Sequence, residues 1–114
     1  MTRTQERRDL FPGALEMMIL RTLKHQPLHG YALAQHIKST SRDLLQVEEG
    51  SLYPALQRLL KDGRVSAKWG VSATNRRIRI YTLTAAGAKH LDNEVSRFER
   101  MLEGIRLVLA PVKS

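Results

Sequence analysis

The sequence predicts a mainly α-helical fold carrying one small β-hairpin. Three stretches carry that expectation: an amphipathic helix within 50–63, two alternating runs at 65–69 and 78–83, and a long apolar seam over 88–109. In the first stretch Leu52, Ala55, Leu56, Leu59 and Leu60 recur at three- and four-residue spacing, which puts them on one side of a helix. Gly50, Pro54, Gln57, Arg58 and Lys61 fall on the opposite side, flanked by Ser51 and Tyr53. One face wants a core, and the other carries long donors and hydroxyls with no carboxylate among them. Gly63 is the expected stop, since glycine takes the left-handed conformation without a Cβ penalty. Pro54 lacks a backbone donor and sits easily in a first turn, which favours Ser51 as N-cap. A helix starting a residue or two earlier would need a local distortion at the proline.

The hairpin comes next. Residues 65–69 alternate apolar and polar, 70–75 are small and polar as in a flexible tip, and 78–83 alternate again. Arg76, Arg77 and Arg79 cluster on the returning side. An amphipathic helix alone is an ordinary core element. A helix followed at once by a basic hairpin is the layout of a winged helix-turn-helix, in which the helix enters a DNA groove and the hairpin touches the backbone beside it.

Charge supports that layout. Of the net +8, residues 50–89 hold eight Lys or Arg against the single acid Asp62, whereas the rest of the chain holds 11 basic and 10 acidic side chains. A solvated face that keeps the protein soluble would not need the excess confined to one supersecondary unit, so a polyanion is the favoured partner. The 114 residues, 42% hydrophobic, suit one small domain with a modest core. No cysteine is present, which excludes disulfides, thiolate metal sites and cysteine nucleophiles and suits a cytoplasmic location. The apolar runs are far too short for a membrane span, and residues 1–9 lack the apolar core of a signal peptide.

Residues 1–12 read as a flexible arm bearing Arg3, Arg7 and Arg8. Pro12 and Gly13 mark a turn, and 14–24 follow as a first helix with Leu15, Met18, Ile19, Thr22 and Leu23 in one stripe. Met17 and Leu20 extend that surface, so burial on more than one side, part of it in a subunit interface, is expected. Pro27 and Gly30 break the chain before a second helix over 31–39, with Tyr31, Leu33, Ala34 and Ile37 available for packing. His25, His29 and His36 invite a metal, but the break disturbs the spacing that would align the first two, and no metal or other cofactor is expected. Residues 44–47 are an extended connector or edge strand. Glu48 and Glu49 complement the dipole of the next helix and should point aside from phosphates or toward base edges.

After the hairpin, Thr84 is a good N-cap for the last and longest helix. Ala88, Leu91, Val95, Phe98, Leu102, Ile105 and Leu109 alternate spacings of 3 and 4, which makes three heptads of seam. About 25 residues of helix run about 35 Å, longer than so small a core can cover, and Met101 and Val108 widen the stripe, so a partner helix is expected. Gly104 weakens this helix slightly and Pro111 ends it.

Three motifs, Leu28-His29-Gly30-Tyr31, Gly50-Ser51-Leu52-Tyr53-Pro54-Ala55-Leu56-x-Arg58-Leu59 and Tyr81-x-Leu83-Thr84-x-Ala86-Gly87, resemble in order and spacing those of the PadR family of bacterial transcriptional regulators. The resemblance runs from about Gly13 to Leu109, and the short C-terminal part looks like the compact subgroup with a single C-terminal helix. It implies a homodimeric winged-helix repressor whose C-terminal helices form the dimer seam. Some members release DNA on binding phenolic acids or drug-like aromatics near that seam. Ser51, Tyr53 and Arg58 match family positions on the DNA-facing helix, and Arg76 with Arg79 matches basic positions of the wing. Two places depart from the pattern. Glu48 and Glu49 stand where many members have Ser-Pro, and Asn75 and Arg77 stand where Gly-x-Pro is common, which implies a more basic and less rigid wing.

The expectation is therefore a winged helix-turn-helix over 13–83 and a dimerisation helix over 84–110. The expected partners are a pseudo-palindromic double-stranded DNA, a second copy of the chain and an apolar or aromatic effector. Ser51, Tyr53, Gln57, Arg58, Lys61, Arg76, Arg77 and Arg79 are the DNA-facing candidates, with Gln57 placed to pair with adenine and Arg58 to read guanine or anchor phosphate. Leu91, Val95, Phe98, Leu102, Ile105 and Leu109 are the interface candidates, and Phe98 with Met101 the effector candidates. No paired carboxylates, nucleophile with base or phosphate-cradling loop stands out, so no enzyme is expected. The alternative is a winged helix that serves only protein association.

Overall fold

The computed structural model describes residues 13–112. Among them, α1 (Ala14–Leu23), β1 (Leu28–His29), α2 (Gly30–Thr40), α3 (Glu49–Lys61), β2 (Val65–Val71), β3 (Arg77–Leu83) and α4 (Ala85–Leu109) follow in order. The arm expected over 1–12 lies outside the described residues.

Packing is decided by the inner face of α3. Leu52, Ala55, Leu56 and Leu59 are all within 1% of complete burial. They meet Ile19 and Leu20 from α1, Leu33 and Ile37 from α2, Val65 and Tyr81 from the sheet, and Leu91 from α4. Each such leucine stabilises the fold by about 1.5–3 kcal/mol relative to exposure. Thr22 is buried among them and satisfied, its hydroxyl donating to the Met18 carbonyl at 2.8 Å.

The sheet is antiparallel with β3 in the middle. β2 pairs with β3 from Val65 opposite Leu83 to Val71 opposite Arg77, and β1 pairs Leu28 with Tyr81 on the other edge. Side chains alternate along a strand, so Val65, Ala67, Tyr81 and Leu83 share the face that packs on the helices. Trp69, Arg77 and Arg79 continue that same face out beyond the core. Two residues are too few to show alternation, so only the ladder with β3 reveals β1 as a strand.

Several expectations change. α3 begins at Glu49 with Glu48 as N-cap, so Ser51 lies inside the first turn and Pro54 inside the helix. The Glu48 carbonyl accepts from both Ser51 N and Leu52 N at 2.9 Å, which tightens this turn. Pro54 forfeits only the bond that the Gly50 carbonyl would accept, and Gly50 is exposed, where water can serve it. Tyr31, available for packing by its place in the sequence, is 66% exposed and takes no part in the core, while Leu20 is fully buried, as its extension of the apolar stripe leads one to expect. Of the two readings open for residues 44–47, the connector holds and the edge strand does not. These residues are tied to α2 by Leu45 N donating to Ser41 Oγ at 3.1 Å, with Leu45 and Val47 against the core. The wing tip is a tied turn: Ser72 N donates to the Arg76 carbonyl (2.8 Å), Asn75 N to the Ser72 carbonyl (2.9 Å) and Arg76 N to Ser72 Oγ (3.1 Å), with Asn75 left-handed at φ 64°.

α4 is anchored at its first turn. Thr84 Oγ1 accepts from Gly87 N at 3.0 Å and donates to the Gly63 carbonyl at 2.7 Å. Thr84 N donates to the Arg64 carbonyl at 3.2 Å. Gly87 rests directly on that carbonyl, and a Cβ there would collide with its oxygen. Beyond Leu91 no residue of the helix is fully buried, although Val95 still packs against the core. The radius of gyration, 16.2 Å, exceeds the ~13 Å of a compact chain of about 100 residues.

The two glycines of α4 should therefore respond oppositely to alanine. Alanine gains about 1 kcal/mol of helix propensity at either place. At Gly104 nothing lies near the new methyl, so the urea midpoint rises. At Gly87 the collision with fixed backbone costs about 1–3 kcal/mol or more and outweighs the gain, so the midpoint falls.

Candidate nucleic-acid interface

Burial of one side of α3 turns Gly50, Tyr53, Pro54, Gln57, Arg58 and Lys61 outward, all exposed, with Ser51 half-buried at the edge. The wing stands beside this face. Between the start of α2, the first turns of α3 and the wing lies an open hollow of about 650 Å³, bordered by Tyr31, Tyr53, Arg76, Arg77 and Arg79, with Glu49 on its rim. Tyr53 reaches the hollow by lying over Gly30. A Cβ on Gly30 would come within 2.9 Å of the Tyr53 hydroxyl, so the glycine is what lets the ring approach. His29 flanks it with its ring centroid 6.5 Å from that of Tyr31.

The wing arginines are organised by the tryptophan across the ladder. Trp69 pairs in register with Arg79. The Arg77 guanidinium lies 4.1 Å and that of Arg79 5.9 Å from the Trp69 ring centroid, within cation–π range. Trp69 is itself 57% exposed. Its position in the alternating strand was legible, but its role depends on a cross-strand register that spacing alone does not supply. Arg79 also faces Tyr81, whose phenol is pushed above its ordinary range by burial, with Arg79 pulling the other way.

Arg58 is held. Its Nε donates to Glu16 Oε2 of α1 at 2.8 Å, with the arginine side chain 57% and the glutamate 22% exposed. The hydrogen bond to Glu16 raises the Arg58 pKa; burial opposes it, and the Glu16 charge adds a smaller upward push. Nothing in the local sequence marks Glu16, because its partner lies 42 positions away.

The interface candidates divide. Leu91 is 1% exposed and belongs to the chain's own core, so it is not part of an open seam. Val95, Phe98, Leu102 and Ile105 are half-covered, and Leu109 is 76% exposed beside exposed Leu107 and Val108. Phe98 separates two hollows against α1. One, of about 310 Å³, includes Met17 and Met101; the other, of about 760 Å³, includes Met18, Ile37, Leu45 and Leu102. His25 and His36 border the larger one, away from His29, and no group of three potential metal ligands occurs among the described residues. No helix among them is long and apolar enough to cross a membrane.

A basic hairpin wing on a three-stranded sheet, beside an outward helix, defines a winged-helix protein. The sequence matches the transcriptional regulator PadR-like family over residues 19–93, and the chain belongs to that family, one of regulators and not of enzymes. It is similar to a transcriptional regulator from Clostridium thermocellum, with 26% identity, a TM-score of 0.79, and 86% of this chain and 95% of that one covered. It is 24% identical over 92 residues to the negative transcriptional regulator PadR of Bacillus subtilis (strain 168), covering 81% of this chain and 50% of that protein. The structure of Bacillus subtilis PadR in complex with operator DNA matches with a TM-score of 0.66 and 24% identity, over 76% of this chain and 48% of that one. The chain thus spans about half the length of the Bacillus protein.

Stacking on Trp69 should stabilise the wing measurably. In a double-mutant cycle of Trp69→Leu and Arg77→Ala, followed by urea unfolding, the coupling energy should be about 0.5–1 kcal/mol, the worth of an exposed cation–π pair. A coupling of zero would show that the two side chains are only neighbours.

Proposed function

We propose that this chain is a homodimeric, sequence-specific DNA-binding repressor whose operator is a pseudo-palindromic duplex, released by a small apolar or aromatic effector. One observation carries the DNA reading. Tyr53 on the outward face of α3 and Arg76, Arg77 and Arg79 of the wing border one open concave surface, with Glu49 also in its lining, and Gln57, Arg58 and Lys61 are exposed on the rest of that helix's outer surface. The operator complex of the Bacillus relative supports the same reading. Residues 13–83 serve as the reading unit and 84–110 as the pairing helix. A two-fold dimer meets successive major grooves on one side of the duplex when its two copies of α3 lie about 34 Å apart. Lys61 and the wing arginines neutralise phosphates, Ser51 and Tyr53 add hydroxyl contacts, and Gln57, central on the outer face, pairs with adenine.

Dimerisation rests on the half-covered stripe of Val95, Phe98, Leu102 and Ile105 with Leu109 and part of α1, since beyond Leu91 no residue of this 25-residue helix is fully buried in one chain. The effector occupies the space beside Phe98 and Met101, between helices of the pair.

The DNA roles separate by salt. Arg77→Ala should weaken operator and random duplex about equally and flatten the slope of log affinity against log salt by roughly one unit. Gln57→Ala should leave the slope nearly unchanged and narrow the operator–random gap by about 1–3 kcal/mol. A wild-type ratio in the Gln57 variant sinks its base-reading role, and a wild type that binds no duplex at low salt sinks the function. For the pairing, Leu102→Asp places an unpaired charge in the seam at a cost of several kcal/mol, so sedimentation should give monomer or aggregate. A wild type monomeric at micromolar concentration would refute the dimer.

A further inference from the structure

The Glu16–Arg58 bond is selective about which guanidinium hydrogen it uses. Only Nε faces Glu16 Oε2, at 2.8 Å, and the side chain otherwise projects with 57% of its surface exposed. An arginine offers five donors in one rigid plane. Engaging Nε fixes that plane and leaves the two terminal nitrogens as a parallel fork, the arrangement that guanine O6 and N7 accept bidentately. A cation that only neutralises phosphate needs no such fixing.

The two partners are not equivalent. Glu16 is the less exposed and stands on α1 next to Leu15 and within a turn of Ile19 and Leu20, all core residues. Arg58 stands on the outer flank of α3, on the side away from Tyr53 and the wing hollow. The carboxylate is therefore the anchor and the fork is what projects. Because the pair is neutral as a whole, it adds no net attraction to an arbitrary phosphate backbone, so its contribution falls on sequence preference.

We propose that Glu16 is a positioning residue for base recognition: from α1 it holds Arg58 with its terminal amino pair presented to a guanine edge in the major groove. Glu16 thus sets sequence preference without itself touching DNA. This rests on the duplex-binding reading above, and it gives Arg58 one role, guanine recognition.

The test begins with a duplex selected by the wild-type protein from a random-sequence pool. Anisotropy titrations of that duplex and of a scrambled one, at several salt concentrations, compare wild type, Glu16→Ala, Glu16→Met, Glu16→Gln, Arg58→Ala and the Glu16→Ala/Arg58→Ala double variant. Arg58→Ala should lower the selected-to-scrambled affinity ratio about tenfold or more, the worth of one bidentate base contact. Glu16→Ala should lower it by a comparable factor, and Glu16→Gln, which can still accept from Nε, should restore part of it. The double variant should fall no further than Arg58→Ala and keep the wild-type salt slope, because the two charges it removes cancel. A merely structural role would lower the melting temperature of Glu16→Ala and leave the ratio at its wild-type value, which overturns the proposal. So does tighter binding of both duplexes by Glu16→Ala, the mark of a carboxylate that competes with DNA for Arg58. If Glu16→Ala does not fold, Glu16→Met, which keeps the length of the stem, decides by the same criterion. A wild type that selects no sequence from the pool defeats the duplex-binding reading itself, an outcome distinct from failure of the Glu16 role.

Discussion

The structure depends on the burial of one side of α3. Leu52, Ala55, Leu56 and Leu59 are held on all sides, by α1, α2, the sheet and the first turns of α4. Rotating α3 by one residue, about 100°, would bring Gln57 or Arg58 toward an apolar core with no partner, at the cost of an uncompensated polar group. The outward set follows from the inward one. The tertiary contacts that fix the roll of this helix also decide which side chains stand outside, so stability and presentation are one constraint.

That constraint also brings together three stretches that are separate in the chain. Gly30 accommodates the Tyr53 ring. Tyr81 lies opposite Leu28 in the ladder and packs in the core with Leu52 and Leu56. Gly87 seats on the Arg64 carbonyl while Thr84 closes the turn that ends at Gly63. A glycine in two of these contacts is there because a backbone or ring comes too close for a methyl group. The motifs at 28–31, 50–59 and 81–87 are thus the points where the helices, the wing and the long helix interlock.

Much of this was legible in the chain because it depends on local periodicity. The seven-residue pattern of α4, its Thr84 cap, the two alternating strands and the leucine stripe of α3 all have the spacing of the element they form. What was not legible depends on partners distant in sequence. Pro54 favours a start at Ser51, and nothing local in the sequence shows that Gly50, whose carbonyl loses its helical partner, is exposed. Tyr31 is available for packing by its place in the sequence, whereas the position it occupies on α2 borders the hollow. Leu91 fits the outer seam by spacing, yet it falls where α4 still lies on the core. The tip of the wing reads as loose from its small polar residues, and those same hydroxyls and the left-handed Asn75 tie it. The Glu16–Arg58 pair and the stacking of Arg77 on Trp69 leave no trace in spacing at all.

Trp69 is the only tryptophan in the chain, and it lies in the wing with two guanidinium groups near its ring, outside the core. The indole is therefore a built-in optical probe of one hairpin. Its emission follows the environment of the β2–β3 ladder near its tip, and says little about the leucines beneath α3. Detachment of the wing from an otherwise intact protein would look, in tryptophan fluorescence, like unfolding of the whole, while far-ultraviolet circular dichroism, dominated by the helices, would barely change.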